Sequence, residues 1–312
     1  MAGQNKHASG GVISRRGFLG GLGAAAVSAA VSKVAVAQGK KPFKLKYAPS
    51  INAFKANAGG DVIDRLQFMA DQGFHAVFDN GFMKKNAAQQ EAIAKKLSDL
   101  GMDFGPFIGY GGFAKPTFVI SDKEIRAMLV DEIKKAVDVH KRTGAKWALV
   151  VPGRYDEKLE MSYQTANAIE NLKFCAEACE GTDMVMVLEP LNRLWNHPGL
   201  FLHRIPQAYQ ICRAVGSPHC KIVNDIYHQQ ITEGNLIPNI DAAWEEIAAF
   251  HIGDNPGRKE PGTGEINYKN IFKHIKGKGY DGVLCMEHGN SKGKGKEAEM
   301  ALIETYRACD DF

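Results

Sequence analysis

Four side chains able to bind a metal follow apolar runs of the sequence at similar positions: Glu189, Asp225, His251 and Glu287. A charge buried at such a position is unfavourable unless it has a partner. Three carboxylates and one imidazole suit one divalent ion, with Mn²⁺ or Mg²⁺ the best fit and Co²⁺ or Zn²⁺ as alternatives. Because three acidic ligands overcompensate the ion's charge, one carboxylate is left to act as a base. The alternative role for each residue is a structural salt bridge or a capped polar group.

Further residues near these four are candidates for contacting a substrate. His228 follows Asp225 by three positions and can reach a substrate hydroxyl, or it is a surface histidine in a loop. Arg258 can hold a substrate hydroxyl or carboxylate with its planar fork. Its alternative role is to brace its own loop by a salt bridge with Glu260 or Glu265. Trp195 and Phe113 are candidates for the pocket wall, with ordinary packing as the alternative.

Short apolar runs alternate with amphipathic stretches along the chain, and this alternation positions the candidate ligands. The candidate strands span residues 44–51, 76–82, 103–110, 147–153, 184–192, 221–228, 247–254 and 282–289. The candidate helices span 61–72, 87–100, 122–143, 163–180, 205–215, 268–279 and 296–309, while Pro238 interrupts the helical pattern of 231–247.

Eight strand–helix units predict an α/β protein of one domain, a (β/α)8 TIM barrel. A doubly wound sheet is the alternative, but no glycine-rich phosphate fingerprint follows the first strand. In the barrel the active site lies at the carboxyl ends of the strands, so consecutive strands five to eight bring the four ligands together. The loop over residues 111–120 is the longest by this prediction, and we expect it to act as a lid.

The first 37 residues have the character of an export signal. They contain Lys6, Arg15, Arg16 and Lys33 but no acidic residue, and residues 14–19 (SRRGFL) resemble the twin-arginine consensus. A mildly apolar Gly/Ala stretch follows, and residues 35–37 (AVA) predict cleavage before Gln38. We expect a periplasmic protein spanning residues 38–312; a leader that is not cleaved would tether it to the membrane. The alternative is a disordered tail with a chance arginine pair.

The 312-residue chain has 39 basic and 35 acidic residues, and without the four basic residues of the leader both counts are 35. Zero net charge gives no general attraction to nucleic acid or to anionic lipid. Apart from the leader there is no long apolar run that would span a membrane. The six cysteines form no C-x-x-C pair and are interpreted as small core residues, although a disulfide in an oxidising compartment is an alternative.

The segments around the candidate ligands resemble the xylose-isomerase-like barrel superfamily of sugar phosphate isomerases and epimerases, and most of all hydroxypyruvate isomerases. The matching segments are 188–192 (LEPLN), 224–231 (NDIYHQQI), 233–236 (EGNL) and 256–268 (PGRKEPGTGEINY). The resemblance implies that Glu189 and Glu287 bind the metal and exchange protons with the substrate. It also implies that Asp225 and His251 complete the metal site and that His228 touches the substrate.

Two residues depart from the hydroxypyruvate isomerase and epimerase patterns. Hydroxypyruvate isomerases commonly have glutamine where this chain has His251, whereas the epimerases have histidine. The epimerases have a second glutamate six residues after the first, where this chain has Trp195.

These observations predict a metal-dependent isomerase that acts on hydroxypyruvate or a small sugar by proton transfer through an ene-diolate. A ketose 3-epimerase with the same metal site is one alternative, and a non-catalytic carbohydrate-binding barrel is another. An endonuclease of the same superfamily would need more metal ligands and a basic face. The expected partner is a small carbohydrate or hydroxy-keto acid, with no nucleic acid; an oligomer is compatible with the sequence.

Overall fold

The computed structural model describes residues 40–312. The predicted signal peptide and its cleavage site lie outside these residues. The described chain contains the strands β1 (Lys46–Ala48), β2 (Ala76–Val77), β3 (Asp103–Phe104), β4 (Phe107–Gly111), β5 (Trp147–Val151), β6 (Val185–Leu188), β7 (Cys220–Asp225), β8 (Ile247–Ile252) and β9 (Val283–Met286). Its helices are α1 (Lys55–Ala58), α2 (Val62–Asp71), α3 (Ala87–Leu100), α4 (Lys123–Thr143), α5 (Met161–Glu177), α6 (Ile205–Val215), α7 (Ile226–Thr232), α8 (Leu236–Ala243), α9 (Tyr268–Gly277) and α10 (Lys296–Cys309).

All paired strands are parallel, and together they curl into a barrel. Seven of them form one sheet in the order β1-β9-β8-β7-β6-β5-β4, and β2 pairs with β3. A parallel bridge between Ser50 and Phe78 joins the end of β1 to the end of β2, and Ile108 of β4 donates to the Asn80 carbonyl. The strands β3 and β4 follow one another in the position of the third barrel strand. The predicted (β/α)8 barrel is therefore confirmed.

The barrel has two apolar layers, as the period-2 alternation of a strand requires. The larger layer lies between the strands and the helices. The smaller layer fills the barrel interior, and its buried residues include Ala48, Ala76, Phe78, Leu149, Val151, Val187, Val223, Ala249 and Cys285. Five of the six cysteines are buried, which agrees with their interpretation as core residues.

Side-chain caps and glycines set the limits of several helices. Asn86 begins α3 with a reciprocal capping box to Gln89, and Gly101 ends it in the left-handed conformation. Asp122 begins α4 by accepting from the amides of Glu124 and Ile125. Within residues 40–312, no helix combines the length and the apolar character needed to cross a membrane.

Some of the predicted element limits are wrong, each for a local reason. The predicted third strand is interrupted at Gly105 and Pro106, because proline lacks the backbone N–H that a strand ladder needs. The predicted sixth strand ends at Asp225, whose side chain accepts from the His228 amide and starts α7. Pro238 is tolerated because it lies in the first turn of α8.

The predicted lid is neither the longest loop nor free of the barrel. The loop between β6 and α6 (residues 189–204) is longer than the segment 111–120. In that segment, Gly112 donates to the Val151 carbonyl at 3.0 Å, and Phe118 donates to the Pro152 carbonyl at 3.2 Å. These bonds hold the segment against the end of β5.

Candidate metal centre

Each of the four predicted ligands lies two residues beyond a side chain of the barrel interior. Val187 precedes Glu189, Val223 precedes Asp225, Ala249 precedes His251 and Cys285 precedes Glu287 in this way. Because strand side chains alternate between the two faces, a residue two positions on points to the same side. The chain therefore directs all four side chains inward at the carboxyl end of the barrel.

The four side chains meet at one point. Their ligand atoms all lie within 4.8 Å of one another. The Nδ1 atom of His251 lies 2.9 Å from Glu189 Oε1 and 2.9 Å from Glu287 Oε2. Arg258 Nη2 approaches the same cluster, 2.8 Å from Glu287 Oε2 and 3.2 Å from Asp225 Oδ2.

Burial and neighbouring charges shift the pKa values of Glu189 and Glu287 in opposite directions. Burial raises the pKa of Glu189 to about 7, and the nearby Glu287 carboxylate acts in the same direction, although His251 opposes it. Burial also acts to raise the pKa of Glu287, but the charge and hydrogen bond of His251 and the charge of Arg258 hold that pKa well below its usual range. The pKa of His251 is raised despite burial, because Glu287 and Glu189 stabilise the imidazolium.

This donor set fits a divalent ion. Three carboxylates repel one another strongly in a buried cluster, and in the metal-free protein protons on Glu189 and His251 together with Arg258 offset their charge. A divalent ion held by Glu189, Asp225, His251 and Glu287 would replace those protons, as metal binding generally does. Carboxylate oxygens with one imidazole nitrogen are ligands that Mn²⁺ and Mg²⁺ accept.

A cavity of about 150 Å³ opens directly onto this cluster. Its lining combines the two glutamates with polar and apolar side chains: Asn80, Ile108, Phe113, Leu149, Glu189, Leu191, His197, His228, Arg258 and Glu287. A larger cavity of about 640 Å³ lies beside α1 and α10 and contains none of the four ligands. The smaller cavity is therefore the one that can bring a substrate to the cluster.

His228 reaches the cavity from α7 and not from a loop. It is 1 % exposed, so its alternative interpretation as a surface histidine is wrong. Its Nδ1 accepts from the side-chain amide of Asn192 at 2.6 Å and from the Asn192 backbone amide at 3.3 Å. The ring therefore carries its proton on Nε2, which lies 3.7 Å from Asp225 Oδ2. Burial lowers the pKa of His228 to about 4, so the ring is neutral at pH 7.

Arg258 also lines the cavity, and it does not brace its loop in the way considered above. Glu260 accepts instead from Ser291, and Glu265 accepts from Gln230 and Asn255. The guanidinium of Arg258 also lies over the Tyr227 ring, 5.0 Å from its centre, a cation–π contact that helps to position it.

The loop that carries Arg258 is held by Asp254, which is fully buried. Its Oδ2 accepts from the amides of Gly262 and Gly264, and its Oδ1 accepts from those of Ile266 and Asn255. Arg258 itself has a left-handed backbone with φ of 50°. The four bonds to Asp254 therefore hold a loop conformation that places the guanidinium on the metal ligands.

Sequence reasoning did not find two polar residues that line the cavity. Asn80 donates from Nδ2 to Glu287 Oε1 at 2.7 Å. His197 brings its half-buried ring from the β6–α6 loop to within 5.3 Å of the His228 ring. Of the two candidate wall residues, Phe113 lines the cavity, whereas Trp195 is 80 % exposed and does not.

The protein is a TIM barrel with an acidic cluster, able to bind a metal, at the carboxyl ends of its strands, where TIM-barrel active sites lie. The chain belongs to the xylose isomerase-like TIM barrel family, whose pattern matches residues 66–308. Its barrel is similar to that of the D-psicose 3-epimerase from Clostridium cellulolyticum H10, with a TM-score of 0.67 and 17% identity over 86% of this chain and 98% of the other. At 17% identity, the TM-score of 0.67 shows a shared fold alone.

Among curated proteins, the chain is similar to the hydroxypyruvate isomerase of Escherichia coli strain K12. The two are 33% identical over 177 residues, which cover 57% of this chain and 67% of the relative. It is also 35% identical over 134 residues to the 2-oxo-tetronate isomerase of Cupriavidus necator, covering 42% of this chain and 51% of the relative. The aligned segments thus span between half and two thirds of these relatives. Their names are consistent with an isomerase.

Proposed function

We propose that this protein is a metal-dependent isomerase that transfers a proton within a hydroxy-carbonyl compound through an ene-diolate. The observation that carries the proposal is the placement of Glu189 and Glu287, each 2.9 Å from the same nitrogen of His251. Two carboxylates that approach the same ligand position are placed to act on one substrate, one as the base and the other as the acid.

The roles of the side chains follow from their contacts. Glu189, Asp225, His251 and Glu287 would hold one divalent ion, for which Mn²⁺ or Mg²⁺ is our proposal. When bound, such an ion supplies electrophilic polarisation of a carbonyl oxygen. One glutamate would then remove the proton from the carbon bearing the hydroxyl, and the other would return a proton to the neighbouring carbon. The hydroxyl proton would pass to the former carbonyl oxygen, so that the hydroxyl and the carbonyl exchange places.

Arg258 and His228 would position the substrate beside this pair. The Nε2–H of His228 and the guanidinium of Arg258 are donors for substrate oxygens and lie beside the metal ligands Asp225 and Glu287. The apolar wall of Ile108, Leu149 and Leu191 excludes water from the reacting carbons.

The substrate class follows from the relatives and the cavity. Relatives named hydroxypyruvate isomerase and 2-oxo-tetronate isomerase suggest a short 2-oxo acid. The cavity presents the guanidinium of Arg258, a donor group that suits a substrate carboxylate. We therefore propose a small hydroxy-keto acid or sugar as the substrate. We also propose that the protein acts in the periplasm after export by the leader.

A ketose 3-epimerase is the second candidate, and His251 and His228 favour it. Both reactions share the first proton abstraction, and they differ in the face or carbon that receives the proton. Product analysis on a panel of ketoses separates them: a changed configuration at C3 indicates an epimerase, and a shifted carbonyl indicates an isomerase.

The proposal is tested by solvent deuterium uptake. The Mn²⁺-loaded protein is incubated in D₂O with hydroxypyruvate, tetroses, pentoses and hexoses, and deuterium on carbon is followed by NMR. We expect uptake with at least one compound and a loss of at least about a hundredfold in Glu287→Gln, as for removal of a general base. Glu304→Gln, an exposed carboxylate paired with Lys40, is the matched control.

Unchanged uptake in Glu287→Gln would contradict the mechanism. Binding of a sugar by the wild-type protein without uptake of deuterium would indicate the non-catalytic carbohydrate-binding barrel instead.

A further inference from the structure

The β6–α6 loop carries His197 into the catalytic cavity by means of a tight turn built on Asn192. The side-chain oxygen of Asn192 accepts from the amides of Trp195 and Asn196 at 3.1 and 3.2 Å. Its backbone carbonyl accepts from the His197 amide at 3.0 Å. Because Asn192 also donates to His228, the turn is fixed directly to the site.

The His197 ring is packed by aromatic neighbours. Its centre lies 5.6 Å from that of Phe113 and 5.3 Å from that of His228. Within residues 40–312, the ring packs against these two aromatic rings and makes no hydrogen bond to another residue. The turn and the two rings place an imidazole at the cavity surface with its hydrogen-bonding capacity unused.

The other polar side chains of the cavity lie against the metal ligands. Asn80 donates to Glu287, Arg258 bonds to Asp225 and Glu287, and His228 Nε2 lies 3.7 Å from Asp225 Oδ2. Their remaining hydrogen-bonding atoms therefore serve substrate oxygens that bind at the ligand cluster. The remaining wall is apolar and includes Ile108, Leu149, Leu191 and Phe113. A substrate oxygen that lies away from the ligand cluster therefore has His197 as its polar partner or faces the apolar wall, where an oxygen without a partner is unfavourable.

We propose that His197 is a specificity-determining residue, which hydrogen-bonds an oxygen on the substrate carbon next to the hydroxy-carbonyl unit held at the four ligands. This inference rests on the proposed function for the placement of that unit. It assigns to residue 197 a polar contact that Trp195, which points to solvent, does not make.

Three compounds with the same HOCH₂–C(=O) unit test the inference. Their third carbon is a carboxylate in hydroxypyruvate, a hydroxymethyl group in dihydroxyacetone and a methyl group in hydroxyacetone. Each is titrated into Mg²⁺-loaded protein labelled with ¹⁵N-histidine, and the dissociation constant and the shift of the His197 ring signals are measured. The variants are His197→Leu and His197→Asn, with His203→Leu as the control histidine of the same loop, whose Nδ1 faces the Phe201 carbonyl.

We expect the wild-type protein to bind at least one of the two oxygen-bearing compounds about five- to tenfold more tightly than hydroxyacetone, the effect of one hydrogen bond. His197→Leu should abolish this preference without changing Mg²⁺ affinity, His197→Asn should retain part of it, and His203→Leu should match the wild type. A preference for hydroxypyruvate alone identifies a carboxylate, and a preference for both compounds identifies any acceptor oxygen; both support the inference.

The same preference in His197→Leu and the wild type would overturn the inference, as would wild-type binding without a shift of the His197 signals. Failure of the proposed function would be seen in a different measurement, as no deuterium uptake by the wild-type protein with any compound. The ratios of the dissociation constants for the three compounds would still decide the role of His197.

Discussion

Replacing Asp254 with asparagine should both destabilise the barrel and remove Arg258 from the metal ligands. Each carboxylate oxygen of this fully buried residue accepts from two backbone amides, at distances between 2.8 and 3.1 Å. Asparagine keeps one oxygen and places an NH₂ group against the other two amides. Those two amides then lose their acceptor and face a donor.

The magnitude follows from the number of bonds lost. A hydrogen bond to a charged group contributes about 1.5–3 kcal/mol, so two of them correspond to roughly 3–6 kcal/mol in the free energy of unfolding. For a chain of this size, 1 kcal/mol changes the Tm by about 2 °C. The Tm should therefore fall by roughly 6–12 °C.

Thermal unfolding followed by circular dichroism gives the Tm, and deuterium uptake gives the activity. Asp281→Asn is the control, because Asp281 is an exposed carboxylate whose contact with Lys46 contributes little to stability. A Tm of Asp254→Asn within 2 °C of the wild-type value would refute the assignment of Asp254 as the residue that holds this loop.

Three further predictions concern the site. Burial raises the pKa of Glu189 to about 7. The protonated carboxyl group therefore contributes to the stability of the metal-free fold below the ordinary glutamate pKa, and this contribution is lost as the pH rises through 7. Mn²⁺ affinity measured by calorimetry should consequently rise about tenfold per pH unit below 7 for each proton displaced; a constant affinity between pH 5.5 and 7 would contradict this. Asn80→Ala removes the donor to Glu287 Oε1 and should slow deuterium uptake about tenfold with unchanged metal content, whereas an unchanged rate would show that Asn80 does not orient this glutamate. Trp195→Ala should leave the uptake rate within twofold of wild type while Phe113→Ala raises KM; equal effects would place Trp195 in the cavity after all.

The four ligands could be predicted from the sequence because they depend on strand position alone. A strand side chain two residues beyond an interior residue points to the barrel axis whatever the loops do. The same rule locates Asn80, which lies two residues beyond Phe78 of the interior layer, so the signal for this residue was present.

Residues placed by loops follow no such positional rule: Arg258 could be predicted only from its residue type and its loop, and His197 was not predicted. His197 reaches the cavity because of the Asn192 turn, and Arg258 reaches the ligands because Asp254 holds its loop. Neither arrangement has a periodic pattern. The limit of the sixth strand was misplaced for a related reason, since Asp225 is at once a strand end, a candidate ligand and the cap of α7.

The proposed function depends most directly on one divalent ion at the cluster, and anomalous diffraction from crystals of the Mn²⁺-loaded protein tests whether the ion binds there. The prediction is one manganese peak at roughly 2.0–2.3 Å from carboxylate oxygens of Glu189, Asp225 and Glu287 and from Nδ1 of His251. A manganese peak at a different site would contradict the proposed metal centre. So would a protein that contains one manganese ion per chain but shows no peak at these four residues.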